Sequence, residues 1–210
     1  MNALHQLLEC GQSYWLDNLT RDMIKSGSLK QRVTEQGLRG VTSNPNIFHK
    51  AISLSDDYDA QLRQLVNEKR PIHNVYEQLV EPLIVADVRE ACDILRPVYE
   101  ESAGVDGFVS LEVSPHLAYD NEGTMLVTQH LFATVNRPNV FIKIPGTTAG
   151  VPAIEQMLYD GININITLLF SMRNYEAVAE AYLRALERRA IEGKPLHTVA
   201  SVASFFLSRI

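Results

Sequence analysis

The sequence predicts an α/β fold built on a parallel sheet, and three observations carry that expectation. Six short apolar segments of strand character alternate with longer segments of helical periodicity. No low-complexity linker separates them. In each of the six strand segments a polar residue interrupts or ends the apolar run near its C-terminal end: Asp17, Asn44, Glu112, Lys143, Asn165 and Ser204. Two closures compete for such a sheet, an open doubly wound arrangement and a (β/α)8 barrel. No G-x-G-x-x-G follows the first strand, which weakens the dinucleotide-binding version. Polar residues gathered at the C-terminal ends of successive strands are what a barrel site requires. A barrel needs eight units and typically ~250 residues, whereas this chain supplies six. The expectation is therefore one domain over residues 1–210, of the (β/α)8 TIM barrel type, with about the first six βα units present.

Each element has its own signal. Residues 13–17 form the first strand, and a short helix follows that Gly27 or Gly37 interrupts. Residues 38–43 form the second strand, ended by Asn44-Pro45, where proline stops regular structure. Residues 75–101 are helical, because Ile84, Val88, Ala91, Leu95 and Val98 recur at helical spacing, with a break or kink at Pro82. Residues 107–113 are a strand and 122–135 a helix. The clearest strand is 140–144, followed by a helix over 149–158 and a strand over 162–169. Ser171 stands where an N-cap belongs, and Tyr175, Val178, Ala179, Tyr182, Leu183 and Leu186 make one apolar helix face. The sixth strand spans 198–203.

Composition removes several function classes. The chain has 210 residues, a net charge of −6, 46% hydrophobic and 21% charged residues, the profile of a folded globular domain rather than a disordered or fibrous one. No apolar run reaches the ~18 residues a membrane-spanning helix needs, and the N-terminus lacks the pattern of a secretory signal. Cys10 and Cys92 form neither a disulfide framework nor a metal spacing, which suggests a reducing, cytoplasmic setting. The basic residues are scattered, arguing against nucleic acid as a partner. The histidines, His116 and His130 among them, make no metal-ligand pattern.

Lys143 is the most informative residue, the only one of six lysines embedded in an apolar strand. A two-residue period puts Phe141, Lys143 and Pro145 on one face and Ile142 and Ile144 on the other. A buried ammonium is costly unless it is paired or deprotonated, and a deprotonated lysine is the nucleophile that forms a Schiff base with a carbonyl. An exposed edge position or an internal ion pair would explain it equally. Glu112, between Leu111 and Val113, is either an acid that passes protons in an apolar setting or simply the partner of Lys143. Asp17 is a second carboxylate of the same site or an N-cap for the next helix. Asn44, Asn165, Thr167 and Ser204 either hold substrate hydroxyls, an imine nitrogen or a water, or serve turns and caps. The loop Gly146-Thr-Thr-Ala-Gly150 lacks the Lys-Ser/Thr ending of a nucleotide-binding loop.

These residues resemble those of the transaldolase family. Gly40-Val-Thr-Ser-Asn-Pro-Asn-Ile-Phe48 looks like its first signature around T-S-N-P, departing from it at Asn46. The run from Val140 to Met157 is similar to the second signature, around the active-site lysine, at every defined position. Asn163-Ile-Asn-Ile-Thr-Leu-Leu-Phe-Ser171 resembles the N-x-T-L-L-F-S segment, and Ser204-Phe-Phe-Leu-Ser-Arg-Ile210 the S-x-F-x-x-R-I segment. The likeness runs from Asp17 to Ile210, and Tyr14-Trp-Leu-Asp-Asn-Leu and Leu111-Glu-Val-Ser-Pro-His-Leu suggest the longer bacterial subgroup, some members of which are fused to a glucose-6-phosphate isomerase domain.

The resemblance implies a Schiff-base transferase of the pentose phosphate pathway that needs neither metal nor cofactor. It would move a dihydroxyacetone unit from sedoheptulose 7-phosphate or fructose 6-phosphate to an aldose phosphate. Carried over, Lys143 forms the imine with the donor C2 and Asp17 takes the C4 hydroxyl proton as C3–C4 breaks. Glu112 and Thr167 hold a water that shuttles protons. Asn44 and Asn165 bind donor hydroxyls and the three-carbon enamine, while Ser204 and Arg209 hold the substrate phosphate. Phe206 stands where related fructose-6-phosphate aldolases carry a tyrosine, which favours transfer over simple aldol cleavage. The family's barrel has two further βα units and another phosphate-binding arginine after the position of Ile210. The chain is therefore expected to be an N-terminal portion whose uncovered strand edges favour self-association. A simple class I aldolase and an inactive barrel fragment are the rival readings.

Overall fold

The computed structural model describes residues 3–68 and 73–206. The six strands are β1 (Tyr14–Asp17), β2 (Leu38–Thr42), β3 (Phe108–Glu112), β4 (Val140–Pro145), β5 (Ile164–Leu169) and β6 (Ser201–Phe205). They are parallel, follow one another in chain order and alternate with helices, as the first six βα units of a barrel do. The chain divides into two compact units, Met1–Val109 and Ser110–Ile210, described in turn.

In the first unit β1 pairs with β2, and the register slips between Tyr14 and Trp15. The slip seats the Trp15 indole over Gly40, where a Cβ would run into the ring, so any other residue there would have to displace the indole. After β1 come two short helices, α2 (Arg21–Lys25) and α3 (Ser28–Gln36); α1 (Ala3–Glu9) precedes the strand. The interruption expected at Gly27 or Gly37 occurs at both, since each takes a left-handed conformation at one end of α3. Pro45 ends the second strand as predicted but does not end regular structure. It opens α4 (Pro45–Leu54), where its missing N–H is one the helix leaves unpaired in any case, and Asn44 caps that helix. Helix α5 (Asp59–Asn67) follows a single 3-10 turn.

The predicted 75–101 helix divides next to Pro82 and runs on through Pro97. A π-helical turn over Tyr76–Val80 runs into α6 (Glu81–Glu101), with Pro82 in the first turn of the α-helix. Helix α6 packs against α2, α3 and β2, burying Leu83, Ile84, Val85, Val88, Ala91, Cys92, Leu95 and Val98. Each large apolar side chain so buried contributes about 1.5–3 kcal/mol. On the same helix Asp87 is 1% exposed and accepts hydrogen bonds from Arg21 Nε at 2.7 Å and from the Tyr58 hydroxyl at 2.8 Å. The Arg21 guanidinium also donates to the Leu83 carbonyl and lies 4.2 Å from the Tyr58 ring centre. Burial pushes the Asp87 carboxyl above its usual range despite these two donors.

In the second unit the strand order β4-β5-β6 is set by registers that place Lys143 opposite Asn165 and Asn165 opposite Val202. Asn163, buried two residues before Asn165, donates to the carbonyls of Pro138 and Val140 and accepts from the Ala200 amide, fixing the entries to β4 and β6. Helix α7 (Asn121–Val135) matches the 122–135 prediction, and α8 (Val151–Asp160) packs against α7, α9 and β5. Helix α9 (Met172–Ile191) is capped by Ser171, as predicted, through a bond from the Asn174 amide. Of the predicted apolar face Val178 is buried, and Ala181, Ala185 and Arg189 complete the buried stripe. Leu183 and Tyr175 stand exposed, and Tyr175, Ala179 and Tyr182 line an open groove beside β6. Strand β6 begins three residues later than predicted, and Val202 on it is 36% exposed. No helix among the described residues is long and apolar enough to cross a membrane.

Candidate active site

Strand β4 is buried along its whole length, Val140 to Pro145, and carries Lys143 into that apolar setting with 6% of its surface exposed. The charge is met by Glu112 at the end of β3, whose Oε2 lies 3.1 Å from Lys143 Nζ. The Val113 amide donates to the Lys143 carbonyl, which holds the end of β3 alongside β4. Both side chains are mostly buried, so the attraction between them is far less screened than at a surface. Such a pair exchanges a proton readily: the carboxylate can take one from the amine nitrogen and return it to a leaving oxygen nearby.

Asn165 sits beside Lys143 in the parallel register, with its side chain on the same face. Its amide is gripped at both ends. Oδ1 accepts from the Ser204 hydroxyl at 2.8 Å, and Nδ2 donates to the Ser110 hydroxyl at 2.9 Å. Two residues along the same face, Thr167 is 1% exposed, and its hydroxyl has no hydrogen-bond partner among the described residues. An orphaned buried hydroxyl is a natural holder for a water. Directly after it, Leu168 takes a φ of 59°, and the pairing slips so that Leu169 stands opposite Phe205. Bulges of this kind re-aim side chains and collect next to active sites.

The second unit thus brings together Lys143 with Glu112, and Asn165 with Ser204. Phe206, just past β6, stacks on Phe170 with 5.8 Å between ring centres. Arg209 lies outside the described residues. In the first unit Asp17 ends β1 as an exposed carboxylate, and Thr20, not Asp17, caps the helix that follows. Asn44 does serve as a cap, accepting from the Ile47 amide at 3.1 Å. Ser110 is the site residue the sequence reading missed. Its signal was present: it is the one polar residue before Glu112 in Phe108-Val-Ser-Leu-Glu112, and the two-residue period puts it on the glutamate's face.

Comparison with known proteins decides the family. The family described as Transaldolase/Fructose-6-phosphate aldolase matches residues 14–210. The chain belongs to this family. It is similar to Transaldolase 2 of Nostoc punctiforme, with 53% identity over 209 residues covering 100% of this chain and 54% of that protein. It is also similar to the transaldolase of Thiobacillus denitrificans, with 47% identity, covering 100% of this chain and 57% of the relative. For the transaldolase of Trichodesmium erythraeum the identity is 46%, with coverage of 100% and 54%. The chain spans about half the length of the curated relatives it matches.

Proposed function

We propose that the protein acts as a transaldolase, carrying a dihydroxyacetone unit between sugar phosphates of the pentose phosphate pathway through a Schiff base on Lys143. The observation that carries this reading is the buried Lys143–Glu112 pair at 3.1 Å, on a strand that matches the family's lysine signature. Lys143 attacks C2 of fructose 6-phosphate or sedoheptulose 7-phosphate. Glu112, with a water held at Thr167, moves the proton from Nζ to the carbinolamine oxygen, which departs as water and leaves the imine. Asp17 takes the C4 hydroxyl proton as the C3–C4 bond breaks, its electron pair flowing into the imine to give an enamine. The aldose phosphate departs. The enamine, its hydroxyls held by Asn44 and Asn165, adds to an incoming glyceraldehyde 3-phosphate or erythrose 4-phosphate, and hydrolysis frees the lysine.

Ser204 donates its hydroxyl to Asn165, which suits it to orienting that amide and leaves phosphate binding to Arg209. The setting in which this chemistry runs is proposed to be the cytoplasm. Phe206 supports transfer rather than simple aldol cleavage, because its ring packs on Phe170 and has no hydroxyl with which to activate water against the enamine.

A product assay separates the two. With fructose 6-phosphate and erythrose 4-phosphate as substrates, the expected products are sedoheptulose 7-phosphate and glyceraldehyde 3-phosphate. Free dihydroxyacetone as the main product would assign a simple aldolase instead. Glu112→Gln should lower kcat by about 10²–10⁴-fold, the usual worth of a positioned proton-transfer group, and leave KM for the donor little changed.

A further inference from the structure

We infer that Ser110 is a positioning residue for the carbon–carbon bond-cleaving step, acting by fixing the amide of Asn165. The inference rests on the transaldolase reading above. Asn165 stands beside Lys143 on the same face of the sheet, so its amide is the neutral polar group adjacent to the reacting nitrogen on β5. An asparagine amide rotates freely about its last torsion unless both ends are held. Here both are held, by hydroxyls from different strands: Ser204 of β6 donates to Oδ1 at 2.8 Å and Ser110 of β3 accepts from Nδ2 at 2.9 Å. Ser110 is fully buried, so its hydroxyl meets the amide without competition from bulk solvent. With one Nδ2 hydrogen given to Ser110, the other has a single direction left, and that hydrogen is available to the oxygen of a donor hydroxyl or of the enamine.

Without the Ser110 hydroxyl, the amide keeps only the Ser204 bond and can turn about it. The buried N–H then seeks another acceptor, at a cost that applies equally in the ground state and along the reaction. What is lost selectively is alignment toward the enamine that forms when C3–C4 breaks. Imine formation at Lys143, which depends on Glu112, should survive.

The test uses the full chain and fructose 6-phosphate, with borohydride added to fix the imine and mass spectrometry to divide the Lys143 adduct into six-carbon and three-carbon forms. Ser110→Ala should still form the imine on Lys143, lower the cleavage rate about 10-fold and shift the trapped population toward six carbons. Asn165→Ala should shift it the same way. The double variant should be no worse than Asn165→Ala alone, because the serine acts only through the amide. Additive losses, or a parental ratio of adducts in Ser110→Ala, would overturn the proposal. A merely structural role would lower thermal stability and leave that ratio unmoved. If Ser110→Ala does not fold, the unsubstituted protein still decides: one Nδ2 proton of Asn165 should exchange slowly in NMR spectra, and two rapidly exchanging protons would contradict the bond. An unsubstituted chain that forms no adduct at all overturns the transaldolase reading, and this proposal with it. One that reacts while Ser110→Ala behaves identically overturns the proposal alone.

Discussion

Replacing Asp87 by asparagine should destabilise the protein by about 3–5 kcal/mol, the usual cost of leaving one member of a buried ion pair uncompensated. Asp87 and Arg21 are 1% and 8% exposed, so solvent does little to soften the loss. The carboxylate now accepts from Arg21 Nε and from the Tyr58 hydroxyl on its two oxygens. An amide can serve only one of them, and presents a donor to the other. Chemical denaturation of parent and variant measures the effect. Replacing the pair together, Arg21→Met with Asp87→Leu, should recover most of the stability, because removing both charges also removes their desolvation cost. A large loss in the double variant and a small one in Asp87→Asn would mean that packing, not charge, holds this network. Neither variant touches the groups proposed to carry the chemistry, so turnover of the folded fraction should be near parental.

Lys143→Met should abolish turnover, by about 10⁴–10⁶-fold, since removal of a covalent nucleophile leaves only binding and orientation behind. The same change strands Glu112, whose side chain is 13% exposed and whose counter-ion is the lysine. Lys143→Met should therefore be less stable than Lys143→Met/Glu112→Gln, although both are inactive. Steady-state rates and denaturation midpoints together separate the two roles of the pair. Residual activity within 100-fold of the parent would remove Lys143 from the mechanism.

Much of this was legible in the residues because burial and alternation leave marks on a strand. Lys143 between isoleucines and Glu112 between Leu111 and Val113 are charges that an apolar strand tolerates only in company, and the two prove to be each other's company. Their pairing was one of the open alternatives, and it is compatible with both a structural and a chemical role. Helix α4 has no counterpart among the expected elements, because Asn44-Pro45 reads equally as the end of a strand and as an asparagine cap followed by proline at the first helical position. The buried stripe of α9 agrees with the predicted face only at Val178, because alanine and even Arg189 can face inward where helices pack closely, while Leu183 and Tyr175 remain outside. Arg189 is buried because its guanidinium caps the carbonyls of Tyr159 and Pro195, a tertiary contact with no local sequence pattern. Ser110 does show in the alternation, on the same face as Glu112, but its role follows only from the Asn165 amide it meets across the sheet.

The most direct test of the central claim is borohydride trapping. The full chain is incubated with fructose 6-phosphate, reduced, digested and sequenced by mass spectrometry. The proposed mechanism predicts a three-carbon addition on the peptide containing Lys143, because the aldose half leaves before reduction. A stable adduct on another lysine, with Lys143 unmodified, would contradict it.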